Sequence, residues 1–471
     1  MQKNEIVTSR ALWWLFAAAI ASSLPTLGYY LIGEEGILVN SSLEMAQRGE
    51  WRRIWLFGLS VLHGVFANWL VIVVANVVGW EHTPAVVRAI MLAATATTGL
   101  MLAWLAYRLT RDAVLAALAG VIVVTFADVL LYRGWLGYRD PLLMMLVLGA
   151  IASLWMAVHT RKAAWLIGTL VFSALAFLTK GIIAYSYVGV AALVFLCRRE
   201  ARAFLLRPAP LLIAAMTLCV PVLWSYSLTG GQQYNQNLGS EIGSKLALPG
   251  VGAYLNKFVS YPFETLLRMA PVPLLVLWFA WRGKAWPLLL NTPLSRTAAA
   301  ISVLGFVPFW LAPQGHFRYL LPLLPVVALW LACVMREMEP SSVRTTVLWL
   351  WGLVAIKVVL ATLAFPVYQQ KFRGENYATA ARDIARIADH HPLYTTDVAS
   401  AGLSVTAYLN IRRLPRPALT FPPEPWGNGL LLSPVENATL GKTIATYPLA
   451  GDTLFLLCRG AACNARTNSK P

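Results

Sequence analysis

Two adjacent carboxylates, Glu34 and Glu35, directly follow the first long apolar run of the chain. Only 21 of the 471 residues are acidic, so a pair of acids where a hydrophobic segment ends is unusual. A carboxylate in such a position can take a proton from an attacking hydroxyl group as a general base. The next residues, SSLEMAQRGEW, have an amphipathic helical pattern, which predicts that the pair folds back against the protein. The alternative is a solvated pair that closes a helix end.

A third acid, Asp140, opens the apolar stretch DPLLMMLVLGA. An aspartate followed by proline is a typical helix start, because the carboxylate caps free N–H groups and proline fits the first turn. The same residue is a candidate partner for a sugar hydroxyl or a second base. Arg139 beside it serves as its charge partner in the simpler interpretation.

Cations occupy short turns between apolar runs. Lys180 lies in LAFLTKGIIAY, and Arg318 and Tyr319 lie in APQGHFRYLLPLLP. An ionisable residue near a membrane boundary is costly unless it is paired or hydrated, so Lys180 is a functional candidate; the alternative is snorkelling to the interface. Asp128 and Lys357 lie within apolar runs and either pair with each other or line a cavity.

Acids and cations together predict a site where a phosphate-bearing lipid meets a hydroxyl acceptor. Lysine and arginine would neutralise the phosphate, and a carboxylate would take the proton of the acceptor. The phosphate is already a good leaving group, so this chemistry requires no metal. A nucleotide-sugar donor is disfavoured because the chain has no glycine-rich phosphate loop.

The composition indicates a membrane protein. Hydrophobic residues make up 58% of the chain and charged residues 13%, whereas soluble domains carry about 25% charged residues. The apolar residues fall in runs of about 17 to 23, the length that a membrane-spanning helix needs. The net charge of +17 comes from basic residues at the ends of these runs, which is typical of cytoplasmic loops and argues against nucleic acid. A basic face for anionic lipid headgroups is a secondary interpretation.

The runs predict about eleven transmembrane helices. They lie near 11–32, 86–108, 113–132, 140–159, 163–180, 182–198, 209–228, 264–282, 296–313, 319–336 and 345–366. With the N-terminus in the cytoplasm and the first run retained as a span, alternation places the basic loops 109–112, 160–162, 199–208, 283–295 and 337–344 inside.

The same alternation places three larger segments outside: 33–85, 229–263 and 367–471. Residues 68–80 are too short to cross and predict an interfacial helix. In the tail, ENYATAARDIARIADHH and ASAGLSVTAYLN predict helices, and PLYTTD, GNGLLLS and DTLFLLC predict short strands. We therefore expect a transmembrane domain over 1–366 and a small extracytoplasmic α/β domain over 367–471.

The five cysteines divide into two groups. Cys197, Cys219 and Cys333 lie in apolar runs and are expected to be buried packing residues. Cys458 and Cys463 lie in the tail, where they form a disulfide if the tail is outside the cytoplasm. The C-x4-C spacing leaves both outcomes open.

The order of these features resembles the polyprenyl-phosphate-sugar-dependent glycosyltransferases of the GT-C fold, specifically the bacterial ArnT and protein O-mannosyltransferase superfamily. The resemblance covers about 370 residues. It rests on Glu34-Glu35, Gly49-Glu50-Trp51, His63-Gly64-Val65-Phe66, Arg88, Asp140-Pro141-Leu142, Leu178-Thr179-Lys180-Gly181 and the turn from Arg318 to Pro325.

The resemblance implies an inverting hexosyl- or pentosyltransferase in the bacterial inner membrane, with a cytoplasmic N-terminus and a periplasmic C-terminal domain. It would move a sugar from a polyprenyl phosphate to a lipid, glycan or protein in the cell envelope. No metal and no cofactor are implied. Glu34 would be the base, Glu35 its helper, and Asp140 a sugar ligand or second base. The donor phosphate and sugar would be bound by Lys180, Arg318, Tyr319, His63 and Lys257.

Two departures from the family pattern limit what is carried over. Glu34 stands where the family usually has aspartate, which moves the carboxylate by about 1 Å. His63-Gly64 replaces the Glu-Lys-Pro motif of ArnT, so aminoarabinose transfer to lipid A is not carried over. The alternatives are a flippase for a polyprenyl-linked glycan and an inactive homologue that binds polyprenyl phosphate.

Overall fold

The structure is a computed structural model that describes residues 8–61, 64–229, 250–283, 285–388, 390–449 and 451–463. The chain folds into two compact units. The helical unit comprises Met1–Leu24, Met91–Trp135 and Arg139–Val358, and the loop–tail unit comprises Pro25–Ile90, Leu136–Tyr138 and Val359–Pro471. His63 and most of the predicted outer segment 229–263 lie outside the described residues.

Helices make up most of the first 370 residues. Their bounds are α1 Ser9–Ala21, α2 Glu35–Arg48, α3 Phe66–Val78, α4 Thr83–Thr110, α5 Ala113–Thr125, α6 Asp140–Thr160, α7 Ala164–Lys180, α8 Ile183–Leu196, α9 Arg199–Leu205, α10 Pro208–Thr229, α11 Val251–Arg268, α12 Val272–Arg282, α13 Pro293–Leu311, α14 Leu324–Glu337, α15 Pro340–Val359 and α16 Phe365–Lys371. Short 3-10 helices precede α4 and α14, and π-helical turns lie at Val129–Arg133 and Leu360–Ala364.

The predicted membrane architecture is confirmed, although the number of crossings stays a prediction. Within the described ranges, seven helices are long and apolar enough to cross a membrane, or eight if α11 and α12 form one broken span. The predicted spans at 113–132, 163–180 and 182–198 coincide with shorter apolar helices. The predicted interfacial stretch 68–80 coincides with α3, a helix of 13 residues.

The single helix predicted over 264–282 is wrong. The structure has two helices there, α11 and α12, that meet at an angle of 98°. Pro271 immediately precedes α12 and Pro273 lies in its first turn. Proline disfavours helical geometry in the residue before it, so the chain breaks there although both sides are apolar.

The centre of the helical unit is formed by α5 and α6, which are buried on nearly all sides. A helix that is apolar all round is expected in such a central position. Helix α6 packs against α7, and α5 packs against α1 and α14. The prediction of buried cysteines holds for Cys333, but Cys197 and Cys219 are exposed. An apolar run does not separate a core face from a lipid face, because both are hydrophobic.

The predicted α/β tail is present. Helix α17 spans Glu375–Ile387 and α18 spans Ser400–Arg412. Strands β1 Ile54–Leu56 and β2 Leu59–Val61 form a separate antiparallel pair. The strands of the tail are β3 Leu393–Thr395, β4 Gly429–Ser433, β5 Lys442–Leu449 and β6 Asp452–Arg459, in the order β3-β4-β6-β5. Strands β3 and β4 are parallel, and the other pairs are antiparallel. Strand β5 was not predicted; its exposed positions alternate with partly buried ones.

The first outer segment packs against this tail within the loop–tail unit. A Cβ atom on Gly36 of α2 would lie 2.6 Å from the backbone of Leu403 in α18. The Asn40 amide donates to the Leu403 carbonyl over 2.9 Å, and Asn410 donates to Asn40 over 2.9 Å. On the other side, Asn68 of α3 donates to the hydroxyl groups of α2. Helix α2 is therefore held at its middle, from Asn40 to Ser42, by buried amides.

Candidate active site

An ion pair between Arg88 and Glu35 lies at the centre of the loop–tail unit. Both side chains are fully buried. The Arg88 Nε donates to Glu35 Oε1 over 2.8 Å, and an Arg88 Nη donates to Glu35 Oε2. Arg88 also donates to the carbonyls of Thr26, Tyr29 and Tyr30. All sides of the guanidinium are thereby used to organise the turn that precedes α2.

The Glu35 carboxylate also accepts two backbone N–H groups. Ile32 donates to Oε2 over 3.0 Å and Gly137 donates to Oε1 over 2.8 Å. A carboxylate with a guanidinium and two amide donors is held in one position. The family pattern contains Arg88, but its partner could not be named from the sequence, since the two residues are 53 positions apart.

Glu34 differs from its neighbour because its side chain is exposed, at the position just before the first turn of α2. Its backbone N–H donates to the Tyr138 hydroxyl over 3.4 Å. Gly33 has a positive φ of 59°, and a Cβ atom there would lie 2.5 Å from that hydroxyl. The turn therefore requires glycine, and it presents Glu34 outward while Glu35 points inward.

A phenol supports the same turn from α18. The Leu31 N–H donates to the Tyr408 hydroxyl oxygen over 2.7 Å. Burial raises the pKa of Tyr408 to about 12, so the phenol stays neutral at physiological pH.

The second cluster lies in the helical unit, where Asp140 and Lys180 form an ion pair. Asp140 begins α6 and is buried, whereas the Lys180 side chain at the end of α7 is 22% exposed. The Lys180 Nζ lies 5.1 Å from the centre of the Tyr319 ring, and the Arg318 guanidinium lies 5.4 Å from the same ring. The structure thus brings together four of the predicted residues.

An aromatic stack fixes Tyr319. Its ring is parallel to that of Phe309, with centres 6.3 Å apart, and Phe309 stacks on Tyr187 at 5.4 Å. The Tyr187 hydroxyl donates to the Tyr319 carbonyl. Tyr187 was not singled out in the sequence; only its position after Lys180, in the next helix, connects it to the site.

Lys257 has a different environment. Its Nζ donates to the carbonyls of Phe309, Trp310 and Ala312, and it lies 4.5 Å from the centre of the Tyr261 ring. An ammonium has three N–H donors, so these carbonyls at the end of α13 use all of them. The structure shows Lys257 as a helix C-cap, and phosphate binding by this residue stays a prediction.

The pairing of Asp128 with Lys357 is wrong. Asp128 Oδ1 accepts from Arg133 over 2.6 Å and from Arg268 over 2.7 Å. The Lys357 ammonium instead lies 4.2 Å from the centre of the Trp135 ring. The other alternative, that the two residues line a cavity, is confirmed for Asp128, which lines an open pocket that does not include Lys357.

No group of three or more His, Cys, Asp and Glu side chains suited to a metal occurs in the part of the chain that the structure describes.

Glu34 and Glu35 lie in the loop–tail unit, and the prediction that they share one site with Lys180 stays a prediction. The predicted disulfide alternative is present, because Cys458 and Cys463 are bonded.

Comparisons with known proteins agree with the resemblance seen in the sequence. Residues 38–228 match the family model described as dolichyl-phosphate-mannose-protein mannosyltransferase. Over 139 residues the chain is 30% identical to the undecaprenyl phosphate-alpha-4-amino-4-deoxy-L-arabinose arabinosyl transferase of Enterobacter sp. (strain 638). That match covers 28% of this chain and 25% of the relative, so the chain matches only about a quarter of the relative's length.

Two solved structures have a similar fold. ArnT from Cupriavidus metallidurans bound to undecaprenyl phosphate has a TM-score of 0.71 at 16% identity, covering 99% of this chain and 100% of that one. The apo state of the same protein has a TM-score of 0.67 at 17% identity, covering 97% and 99%. The predicted family resemblance is therefore confirmed as a similarity: residues 38–228 match the protein mannosyltransferase family model, and the chain as a whole has a fold similar to that of ArnT.

Proposed function

We propose that this protein is an inverting glycosyltransferase that moves a sugar from a polyprenyl-phosphate donor to a hydroxyl group of a lipid, glycan or protein. The observation that carries this proposal is the Lys180 cluster. It combines a partly exposed ammonium, a buried carboxylate and a guanidinium around one tyrosine ring. Such a set can hold a phosphate and a sugar hydroxyl side by side.

The donor phosphate is assigned to Lys180 and Arg318. One N–H of the Lys180 ammonium goes to Asp140, and an ammonium has three. The remaining donors can bind phosphate oxygens, with Arg318 completing the charge. These cations would stabilise the negative charge that develops as the bond between the sugar and the phosphate breaks.

The acceptor proton is assigned to Glu34. The acceptor oxygen attacks the anomeric carbon, the bond from that carbon to the phosphate oxygen breaks, and its electron pair leaves with the polyprenyl phosphate. The hydroxyl proton passes to the Glu34 carboxylate. Attack opposite the leaving group inverts the anomeric configuration, and no covalent enzyme intermediate is formed.

The remaining predicted residues have supporting roles in this proposal. Glu35, held by Arg88 and by two backbone N–H groups, positions Glu34. Asp140 binds sugar hydroxyls or shares the base role. Lys257 holds the end of α13 ahead of the Arg318 turn. His63 stays a proposed donor-binding residue.

The comparisons support the class of donor. A protein with the same fold was solved with undecaprenyl phosphate, and the matched family acts with dolichyl-phosphate-mannose. We place the protein in the bacterial inner membrane, with its N-terminus in the cytoplasm and its C-terminal domain in the periplasm. The basic loops support this orientation.

The proposal is tested by comparing cells that lack the protein with cells complemented by the wild type or by Lys180→Met. Mass spectrometry of lipids, glycans and envelope proteins should show a hexose, pentose or aminopentose that is lost without the protein and is not restored by the variant. The mass difference identifies the sugar. Movement of a glycolipid across the membrane with no covalent change in any product would contradict the proposal and favour a flippase.

A further inference from the structure

An open pocket of about 670 Å³ lies in the helical unit between the π-helical turn Val129–Arg133 and α11. Its polar lining is Asp128, Ser260, Glu264 and Arg268, and its apolar lining includes Leu131, Tyr132, Phe263 and Leu267. We propose that this pocket, the Asp128 pocket, is a subsite for one sugar ring of a glycosylated lipid. The inference rests on the proposed function and extends it to a part of the substrate.

The two walls of the Asp128 pocket are joined by directed contacts. Arg268 of α11 donates to Asp128 over 2.7 Å and to Glu264 over 2.7 Å. The Ala127 N–H donates to the Ala270 carbonyl over 3.0 Å. These contacts hold the two walls of the open pocket in fixed positions.

The buried Asp128 carboxylate has one oxygen atom that can still accept a hydrogen bond. The Asp128 side chain is only 2% exposed, and both Arg133 and Arg268 donate to its Oδ1 atom. Its Oδ2 atom is buried and has no hydrogen-bond partner among the described residues. Leaving a buried carboxylate oxygen without a donor costs free energy, so a ligand hydroxyl that reaches it would gain a strong, charge-assisted bond.

The charge balance of the pocket argues against a phosphate. Two carboxylates, Asp128 and Glu264, face two guanidiniums, Arg133 and Arg268, so the cluster carries no net positive charge. What it offers instead is acceptor oxygens in a pocket that is also lined by the aromatic side chains of Tyr132 and Phe263. A sugar ring matches this combination because it presents hydroxyl donors at its edge and an apolar C–H face for an aromatic ring.

The pocket also adjoins the proposed phosphate site through one turn. The guanidiniums of Arg268 and Arg133 lie 5.2 Å and 5.9 Å from the centre of the Phe317 ring. The next residue, Arg318, belongs to the Lys180 cluster. A sugar held at Asp128 would thus lie beside the residues assigned to the donor phosphate, and it would belong either to the donor or to a glycosylated acceptor.

The first experiment measures binding without catalysis. The full chain carrying p-benzoylphenylalanine at Phe263 is placed in nanodiscs of phosphatidylethanolamine and phosphatidylglycerol with either monoglucosyl diacylglycerol or diacylglycerol of the same acyl chains. After irradiation, mass spectrometry counts the adducts. We expect about tenfold more adduct with the glucosyl lipid, the discrimination that one charge-assisted hydrogen bond provides. The same label at Val259, an exposed residue of α11 outside the pocket, should show no preference.

Glu264→Gln and Asp128→Asn in the labelled protein should each reduce this preference several-fold. Glu264 is 45% exposed, so its variant is expected to fold even if the Asp128 variant does not. Competition identifies the origin of the sugar: displacement by glucosylated polyprenyl phosphate, but not by polyprenyl phosphate alone, assigns the pocket to the donor. Displacement by neither assigns it to the acceptor.

Equal labelling by the two lipids at Phe263 would overturn the inference and show an ordinary lipid-facing groove. This outcome is independent of transfer activity. Selective labelling by a protein that transfers no sugar would instead leave the pocket assignment intact and remove the proposed function.

Discussion

The Arg88 guanidinium donates two hydrogen bonds to the Glu35 carboxylate, and neither side chain is exposed to solvent. The remaining donors of Arg88 hold the carbonyls of the turn before α2. A buried charge pair that also organises the backbone fixes geometry more than it adds stability. Here the geometry it fixes is the turn that exposes Glu34.

We expect Arg88→Leu to destabilise the loop–tail unit by about 3–5 kcal/mol, because it leaves the Glu35 carboxylate buried without its partner. Arg88→Lys should recover little, since an ammonium cannot reproduce the forked donors of arginine. Thermal unfolding in detergent, followed by fluorescence-detected size exclusion, measures both. Glu81→Gln is the control, because Glu81 belongs to an exposed pair in the same unit. An Arg88→Leu protein as stable as the wild type would refute the anchoring role.

We expect Glu34→Gln to lower the rate of transfer by about 10²- to 10⁴-fold, the contribution of a general base. Glu34→Asp should retain a measurable part of the activity because it keeps a carboxylate at the position. The rate is measured in membranes with the donor identified by mass spectrometry. Glu424→Gln, an exposed change in the tail, should leave the rate unchanged. Activity of Glu34→Gln within a few-fold of the wild type would exclude Glu34 as the base.

We expect Lys180→Met to reduce kcat/KM by about 10²- to 10³-fold, as the loss of one group that stabilises a developing anion does. Lys180→Arg should retain more activity because it keeps the positive charge. Lys162→Met is the matched control on an exposed loop. Lys180→Met also leaves the Asp140 carboxylate buried without its partner, which can destabilise the protein. The double variant Asp140→Asn/Lys180→Met removes this buried charge, so it should be more stable than Lys180→Met. Its activity should stay as low as that of Lys180→Met.

The cysteine assignment predicts a thiol count. Cys458 and Cys463 are bonded, and the free cysteines of the described residues are Cys197, Cys219 and Cys333. Alkylation of denatured, non-reduced protein should therefore modify three of the five cysteines, and prior reduction should expose all five. Intact mass spectrometry gives both numbers. Modification of five thiols without reduction would show that the tail does not reach an oxidising compartment.

Asp397 of the tail predicts a pH dependence of stability. Burial raises the pKa of its carboxyl above the ordinary 3.8, although the Ala399 N–H donates to it. A carboxyl whose pKa is higher in the folded state binds more protons there, so its contribution to stability is present below pH 3.8 and is lost as pH rises through the raised pKa. Asp397→Asn should flatten this fall, as measured by thermal unfolding between about pH 3.5 and 7. An unchanged slope would contradict the assignment.

The membrane class and most of the element order could be predicted from the amino-acid sequence. Apolar runs located the helices, because a segment that crosses the hydrocarbon core of a bilayer needs about 20 mostly apolar residues. Helical spacing of apolar residues in the tail located α17 and α18, and short strand-like stretches located three of its four strands. The prediction of a single helix over 264–282 is wrong because both sides of the bend are equally hydrophobic, although the prolines at the bend are visible in the sequence.

The pairing of the charged residues could not be predicted from the sequence, because it depends on the three-dimensional packing. Asp128 and Lys357 were both visible as costly residues in apolar runs, yet their partners are Arg133, Arg268 and the Trp135 ring. The same holds for Arg88 with Glu35, and for Lys257, whose donors close a helix end. Sequence spacing fixes which residues share a helix face. Contacts between distant segments depend instead on how the helices pack. Because the attraction between charges falls with distance, a charged side chain pairs with the group that this packing brings within a few ångströms.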